Sequence, residues 1–224
     1  MDILKILTEP YQTYTFTQIL WEIVAASSGI LSVFFIAARS IWGYPTGILS
    51  TLIYSWLLWQ WGLMGDMMIN VYYTCMSIYG WISWQHKIQE NDTVVVRYMS
   101  NKDYVLSSII FVISFVFTIA VYKFRPLIEQ IGINAVQNPA VHQLVWSDFI
   151  DALTTSIFLI AMWLMARRSI EHWTLWITGN IISIPLYIWK GFAITAFQYL
   201  IFLILAVYGM NTWKNSLNQK ENIM

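Results

Sequence analysis

The sequence predicts an all-α integral membrane protein with seven transmembrane helices, arranged as two parallel three-helix repeats joined by a linker helix. Three observations carry that expectation. The 224 residues are 58% hydrophobic, 17% aromatic and only 11% charged, whereas soluble domains are roughly 45–50% apolar and about 25% charged. Mean hydropathy is +0.58. Seven stretches approach the about 20 mostly apolar residues that cross a bilayer as a helix. Residues of the first three stretches recur, in register, in the last three.

The elements follow in chain order. Residues 1–17 carry one lysine, one proline and several Thr and Tyr. They lack the basic start, apolar run and small-residue cleavage site of a signal peptide, so they read as an interfacial lead-in. The apolar stretches run over 19–38, 44–63, 66–84, 104–122, 147–166, 173–190 and 193–213. Helices satisfy every backbone amide internally, as a bilayer demands, and the ten-residue alternation of barrel strands is absent. Pro45 and Pro185 fall at or inside helices, which membrane helices tolerate. Pro126 and Pro139 lie in the polar loop 123–146. The expected organisation is a lead-in at 1–17, a first repeat at 18–85, loops and linker helix at 86–146, a second repeat at 147–214 and a tail at 215–224.

Orientation follows from Lys and Arg on alternate loops. One side holds Lys5, Lys123, Arg125 and Lys190. The other holds Arg39, Lys87, Arg97, Lys102, Arg167, Arg168, Lys214 and Lys220, so the counts are 4 against 8. The richer side is expected to be cytoplasmic, with the N-terminus outside and the C-terminus inside. The sequon Asn91-Asp92-Thr93 then falls on the cytoplasmic side and is discounted.

The repeat is visible by eye. Tyr79, Gly80 and Trp84 meet Tyr208, Gly209 and Trp213 at a spacing of 129, and Arg39-Ser40-Ile41 meets Arg168-Ser169-Ile170 at the same spacing. Ser50, Tyr54 and Trp56 meet Ser183, Tyr187 and Trp189 at a spacing of 133. The first and fifth segments are separated by four crossings, so the halves face the same way. Parallel repeats of this kind occur in transporters that bind substrate between the halves, although duplicated bundles also serve as enzymes and scaffolds.

Composition excludes several classes. Lys+Arg and Asp+Glu are 12 each, which argues against a nucleic-acid binder. The single cysteine, Cys75, allows no internal disulfide and no Cys-based zinc cage, and the three histidines are scattered. No His-Glu-x-x-His, Gly-x-Ser-x-Gly or Walker loop is present, and the seventh segment offers no buried lysine for a retinal. No cofactor is expected.

Polar groups at bilayer depth are costly and usually face a cavity or a partner. In the sixth segment Trp176, Asn180, Ser183, Tyr187 and Lys190 share one helical face. The second carries a reduced version in Gly47, Ser50, Tyr54 and Trp61. The third carries Asp66, Asn70, Tyr73, Ser77 and Trp84, and the seventh Thr195, Tyr199, Phe202 and Trp213, with Gln198 beside them. Flat rings stack on Trp and Tyr, and sugar hydroxyls pair with Asn, Gln and Ser. A cationic ring also gains about 0.5–2 kcal/mol from an aromatic face. A neutral or cationic nucleoside-like ligand therefore suits these stripes better than a phosphate, which would call for arginines that the mid-membrane region lacks. Trp176, Tyr187 and Tyr54 are expected to wall in the ring. Asn180, Asn70, Gln60 and Gln198 would hydrogen-bond the ligand's polar groups, and Tyr73 and Tyr199 would line the path.

Blander readings stand beside these. Single Ser residues often join helices. Trp21, Trp42, Trp84 and Trp213 sit at helix ends and read as an interfacial belt. Glu22 and Asp148 are first-turn acids favoured by the helix dipole, Asp151 lies one turn deeper, and Lys190 is expected to snorkel to the interface. A membrane-bound enzyme or receptor using the same aromatic cleft remains open, as does a purely structural scaffold.

The run Tyr44-Pro45-Thr46-Gly47-Ile48-Leu49-Ser50-Thr51-Leu52-Ile53-Tyr54 resembles the second-helix signature of the PnuC-type nicotinamide riboside transporters. Trp59-Gln60-Trp61-Gly62-Leu63-Met64-Gly65-Asp66-Met67, Asn70 with Tyr72-Tyr73, and Tyr79-Gly80-Trp81 with Trp84 are similar too. So are Trp176-x3-Asn180 and Leu186-Tyr187-Ile188-Trp189-Lys190-Gly191 in the second half. The resemblance covers about residues 18–214. It implies a three-plus-one-plus-three bundle related to the SWEET sugar transporters, a homotrimer, and a bacterial inner-membrane location. It further implies facilitated diffusion of a small-molecule vitamin by alternating access, with the substrate trapped by a cytoplasmic kinase. Nicotinamide riboside, a pyridinium ring on a ribose, matches the ligand class drawn from the stripes. Thiamine matches nearly as well, and riboflavin, larger and neutral, ranks third.

Overall fold

The computed structural model describes residues 15–61, 63–91, 96–129 and 141–221. Most of the lead-in, Gly62, the sequon residues Asp92 and Thr93, the 130–140 part of the polar loop with Pro139, and the last three residues lie outside them. Among the described residues the chain forms eight helices: α1 (Phe16–Ala37), α2 (Gly43–Gln60), α3 (Met64–Asn91), α4 (Asn101–Lys123), the short α5 (Arg125–Glu129), α6 (Trp146–Ala166), α7 (Glu171–Trp189) and α8 (Ala193–Glu221). The seven long ones fall on the seven apolar stretches. Two run further than hydropathy suggests, α3 through Asn91 and α8 through Glu221, because backbone hydrogen bonding continues into polar residues that leave the apolar layer.

By length and composition α1, α4, α6 and most of α8 are apolar enough to cross a membrane. The long helices that fall short, α2, α3 and α7, carry polar stripes, and helices that line a polar cavity cannot be apolar all round. Of the four apolar ones α6 is the most enclosed, with 67% of its apolar window buried against 11–17% in the others.

Helix starts follow local chemistry. Thr15 caps α1 in a capping box with Gln18, and Ser100 caps α4 with Asp103, each cap being worth about 1 kcal/mol. Asp148 accepts from Val145 N at 2.9 Å and lies 3.1 Å from His142 Nε2 at the start of α6. Its first-turn position therefore serves the helix start.

Helices α1, α2 and α3 pack consecutively, as do α6, α7 and α8, and the two sets meet through α1 against α8 and α3 against α6. Helix α4 lies on α6. Its entry strand is tied to the α6–α7 turn: Arg97 N donates to Arg168 O at 3.1 Å and Ile170 N to Arg97 O at 3.0 Å. Buried Asp103 then pairs with Arg97 at 2.5 Å and Arg167 at 3.0 Å.

The α1–α2 and α6–α7 turns share one geometry. Arg39 (φ 58°) and Arg168 (φ 61°) are the non-glycine residues with positive φ among those described. Ser40 N donates to Phe35 O at 2.8 Å and Arg39 N to Ile36 O at 2.9 Å; Ser169 N donates to Leu164 O at 3.0 Å and Arg168 N to Met165 O at 2.9 Å. Both are Schellman closures, in which a left-handed residue after the C-cap lets the chain satisfy otherwise orphaned carbonyls.

At this end the two sets exchange equivalent contacts. Trp84 Nε1 of α3 donates to Met165 O of α6 at 3.3 Å, and Trp213 Nε1 of α8 donates to Ile36 O of α1 at 3.0 Å. Ile36 and Met165 are themselves 129 residues apart. Under each Trp a glycine admits a ring: a Cβ on Gly80 would lie 2.3 Å from Tyr44 Cε1, and one on Gly209 2.4 Å from Trp173 Cζ2. Trp84 and Trp213 are both 0% exposed. This corrects the belt reading for these two: they sit at helix ends, but the neighbouring set covers those ends, so the indoles face protein carbonyls. Trp21 and Trp42 are exposed, as a belt requires.

Candidate functional site: a two-walled central cavity

A cavity of about 270 Å³ opens between the two three-helix sets, above the layer of exchanged tryptophans. All six helices of the two sets line it and α4 does not. Seven of the nine expected site residues are there: Tyr54, Asn70, Tyr73, Trp176, Asn180, Gln198 and Tyr199. The stripes converge because each occupies the inward face of its helix.

The other two stand elsewhere. Gln60, at the end of α2, accepts from Gln18 Nε2 at 3.1 Å and is not among the residues lining the cavity. Tyr187 lines a second cavity of about 410 Å³ between α3, α4 and α6, where it stacks on Tyr199 at 5.1 Å. Tyr187 shares the inward face of α7 but lies toward the end that carries the α7–α8 turn, whereas Gln60 stands about a third of a turn off the Gly47–Ser50–Tyr54 face of α2.

Asn180 is the most informative residue in the site. It is 1% exposed, and among the described residues neither Nδ2 nor Oδ1 has a hydrogen-bond partner. A buried polar group without a partner costs roughly 1–3 kcal/mol, which a ligand able to donate to Oδ1 and accept from Nδ2 would offset. Asn70 differs. Its Nδ2 donates to Asp66 O at 3.0 Å, so one amide proton is used and the second, with Oδ1, remains.

Trp176 forms the aromatic wall, stacked on Phe158 of α6 with centroids 5.0 Å apart and planes at 24°. Phe158 in turn stacks on Tyr199 at 6.0 Å and 11°. Trp176, Phe158, Tyr199 and Tyr187 therefore form a row of near-parallel rings. Phe158 and Tyr199 border both cavities and separate them. Phe158 carries no pattern that marks it, because it lies in the unbroken apolar run Ile157–Ile160. The signal that fits it is Gly179 on α7, where a Cβ would come within 2.2 Å of Phe158 Cε1. Ser32 of α1 also lines the cavity and was likewise unmarked.

The second cavity contains Asp66, Asp151 and Arg125. Asp151 is 5% exposed and forms an ion pair with Lys190. Lys190 therefore does not snorkel to the interface as expected. Its ammonium sits 5.4 Å above the Tyr187 ring, between a buried carboxylate and an aromatic face that both favour a cation.

The profile of the nicotinamide mononucleotide transporter family matches residues 19–215. The nicotinamide riboside transporter PnuC of Escherichia coli strain K12 is 23% identical over 207 residues, covering 89% of this chain and 87% of that protein. The riboflavin/roseoflavin transporter RibM of Streptomyces davaonensis is 24% identical over 198 residues, covering 87% and 85%. Among solved structures, that of the vitamin B3 transporter PnuC superposes with a TM-score of 0.62 at 21% identity, covering 98% of this chain and 99% of that one. The two share a fold.

Proposed function

Because the chain belongs to the nicotinamide mononucleotide transporter family, a family of multi-pass membrane transporters and not of enzymes, we propose that it carries nicotinamide riboside into the cell by facilitated diffusion. The observation that carries this reading is the Asn180 amide, buried without a partner beside the Trp176 ring. An amide pairs with a carboxamide at both of its atoms, and an indole face favours a flat pyridinium. Two relatives support the same class: one is a nicotinamide riboside transporter and the other a riboflavin/roseoflavin transporter.

In this reading residues 18–85 and 147–214 are parallel repeats about the central cavity and α4 is their linker, a three-plus-one-plus-three bundle of the SWEET type. The shared spacing of 129 in the Schellman turns and in the exchanged Trp contacts supports it. The halves rock to expose the cavity to either side in turn. Tyr54, Asn70, Tyr73, Trp176, Asn180, Gln198 and Tyr199 bind the substrate, Tyr187 lies on its path, and Gln60 acts at the rim. The protein works as a homotrimer in a bacterial inner membrane, N-terminus outside, and a cytoplasmic kinase traps the substrate. The Trp84–Trp213 layer then closes the cytoplasmic side.

The test is uptake by purified protein in liposomes, with labelled nicotinamide riboside, thiamine and riboflavin, no ATP and no ion gradient. Equilibration of nicotinamide riboside, lost in folded Asn180→Leu protein, is the expected result. Equilibration of riboflavin alone would support the second reading, which the RibM relative favours. Uptake of none by folded protein would refute passive transport of this class, and Asp151→Asn would then test ion coupling.

A further inference from the structure

The wall of the central cavity opposite Trp176 and Asn180 has a chemistry of its own. Ser32 Oγ donates to Gly43 O at 2.6 Å and Ser50 Oγ to Ala25 O at 2.7 Å. A hydroxyl carries one proton and two lone pairs, and a backbone carbonyl can only accept. The direction of both bonds is therefore fixed, and each serine has spent its proton on the α1–α2 packing. Both serines line the cavity, and what remains to them is lone pairs. Glycines make the room: a Cβ on Gly47 would come within 2.8 Å of Ser32 Oγ, and one on Gly29 within 3.0 Å of Ser50 Oγ. The same enclosed space contains the unpartnered, 1% exposed Asn180 amide, which marks it as a place for a ligand.

Resting on the nucleoside-carrier reading above, we infer that Ser32 and Ser50 form a pair of acceptors on this wall that selects a ribosyl substrate by its hydroxyl protons, while the base lies toward Trp176 and Asn180. A substrate hydroxyl that meets Ser32 Oγ or Ser50 Oγ must donate to it. A group of similar size that cannot donate meets lone pairs and is refused. Serines that only join α1 to α2 would be indifferent to what the sugar carries.

The test uses the full chain in liposomes and compares kcat/KM for nicotinamide riboside with that for its 2′-deoxy-2′-fluoro and 3′-deoxy-3′-fluoro analogues. Fluorine keeps size and polarity but has no proton. Loss of one net hydrogen bond predicts that at least one analogue falls about fivefold or more in the wild-type protein. In Ser32→Ala or Ser50→Ala that discrimination shrinks toward unity, whereas a purely structural serine would lower uptake of parent and analogue by the same factor. Wild-type protein that carries both analogues within about twofold of the parent overturns the inference, and so does discrimination that persists in both folded alanine variants. The wild-type comparison decides alone if neither variant inserts. If nicotinamide riboside itself is not carried, the carrier reading fails and the wall with it. If it is carried without discrimination, only the wall fails.

Discussion

Replacing Gly209 by alanine tests the joint between the two helix sets. The added methyl would lie 2.4 Å from Trp173 Cζ2 and 2.5 Å from Cη2, about 1 Å inside ordinary van der Waals contact. Trp173 is 1% exposed and cannot swing out. Its ring is held edge-on to Trp213 at 5.8 Å and lies 4.4 Å from the His172 ring. The strain must therefore pass to Trp213 and its bond to Ile36 O. Overpacking of this kind costs about 1–3 kcal/mol. At about 2–4 °C per kcal/mol for a chain of this size, thermal unfolding in detergent should shift down by roughly 2–12 °C. Gly80→Ala, whose methyl meets Tyr44 Cε1 at 2.3 Å, should cost a similar amount because it is the equivalent position. Gly65→Ala is the control, since its methyl meets only Val121 Cγ1 at 3.1 Å, the end of one side chain beside a cavity. Unfolding of Gly209→Ala at the wild-type temperature, or an equal loss in Gly65→Ala, would refute the account of the joint.

Other outcomes follow from the same coordinates. Trp213→Phe should destabilise more than Trp84→Phe in the same melt, each by about 1–3 kcal/mol. Met165 O retains Tyr44 OH at 3.4 Å when Trp84 is lost, whereas Ile36 O loses its one side-chain donor. Lys190→Met leaves the Asp151 carboxylate buried and unpaired and should cost about 3–5 kcal/mol; the double variant with Asp151→Asn should recover most of it, read as a thermodynamic cycle. Phe158→Ala removes the ring that backs Trp176 and parts the two cavities. Losing the stack is worth about 0.5–1.5 kcal/mol, so KM for uptake should rise about two- to tenfold in protein that still reaches the membrane.

Much of the architecture was legible because it rests on local pattern. Apolar length marked the seven long helices, and polar residues three and four apart named the inward faces of α2, α3, α7 and α8. The recurrence of Tyr-Gly-x-x-x-Trp pointed to equivalent positions before their contacts were known. A helical stripe fixes the side of the helix on which a residue stands, but not its height relative to neighbours. Tyr187 is on the inward face of α7 yet lines the second cavity, and Gln60, beside the α2 stripe rather than on it, bonds Gln18. Trp84 and Trp213 look like belt residues by position, and only the packing of the opposite helix set over them makes them donors to buried carbonyls. The fate of Lys190 was open for the same reason, because a flexible ammonium goes wherever the strongest counter-charge lies, and Asp151 is 39 residues away in sequence.

By itself the sequence determined that this chain is a series of long, mostly apolar helices, several with a polar face, and that a residue pattern recurs along it, since composition and 3.6-residue periodicity are properties of single helices. Only the tertiary structure decided which faces meet, where Phe158 stands, and that the Asn180 amide is left without a partner while the Ser32 and Ser50 protons are already spent. Hydrogen-bond satisfaction is a property of pairs, and no single helix contains both members.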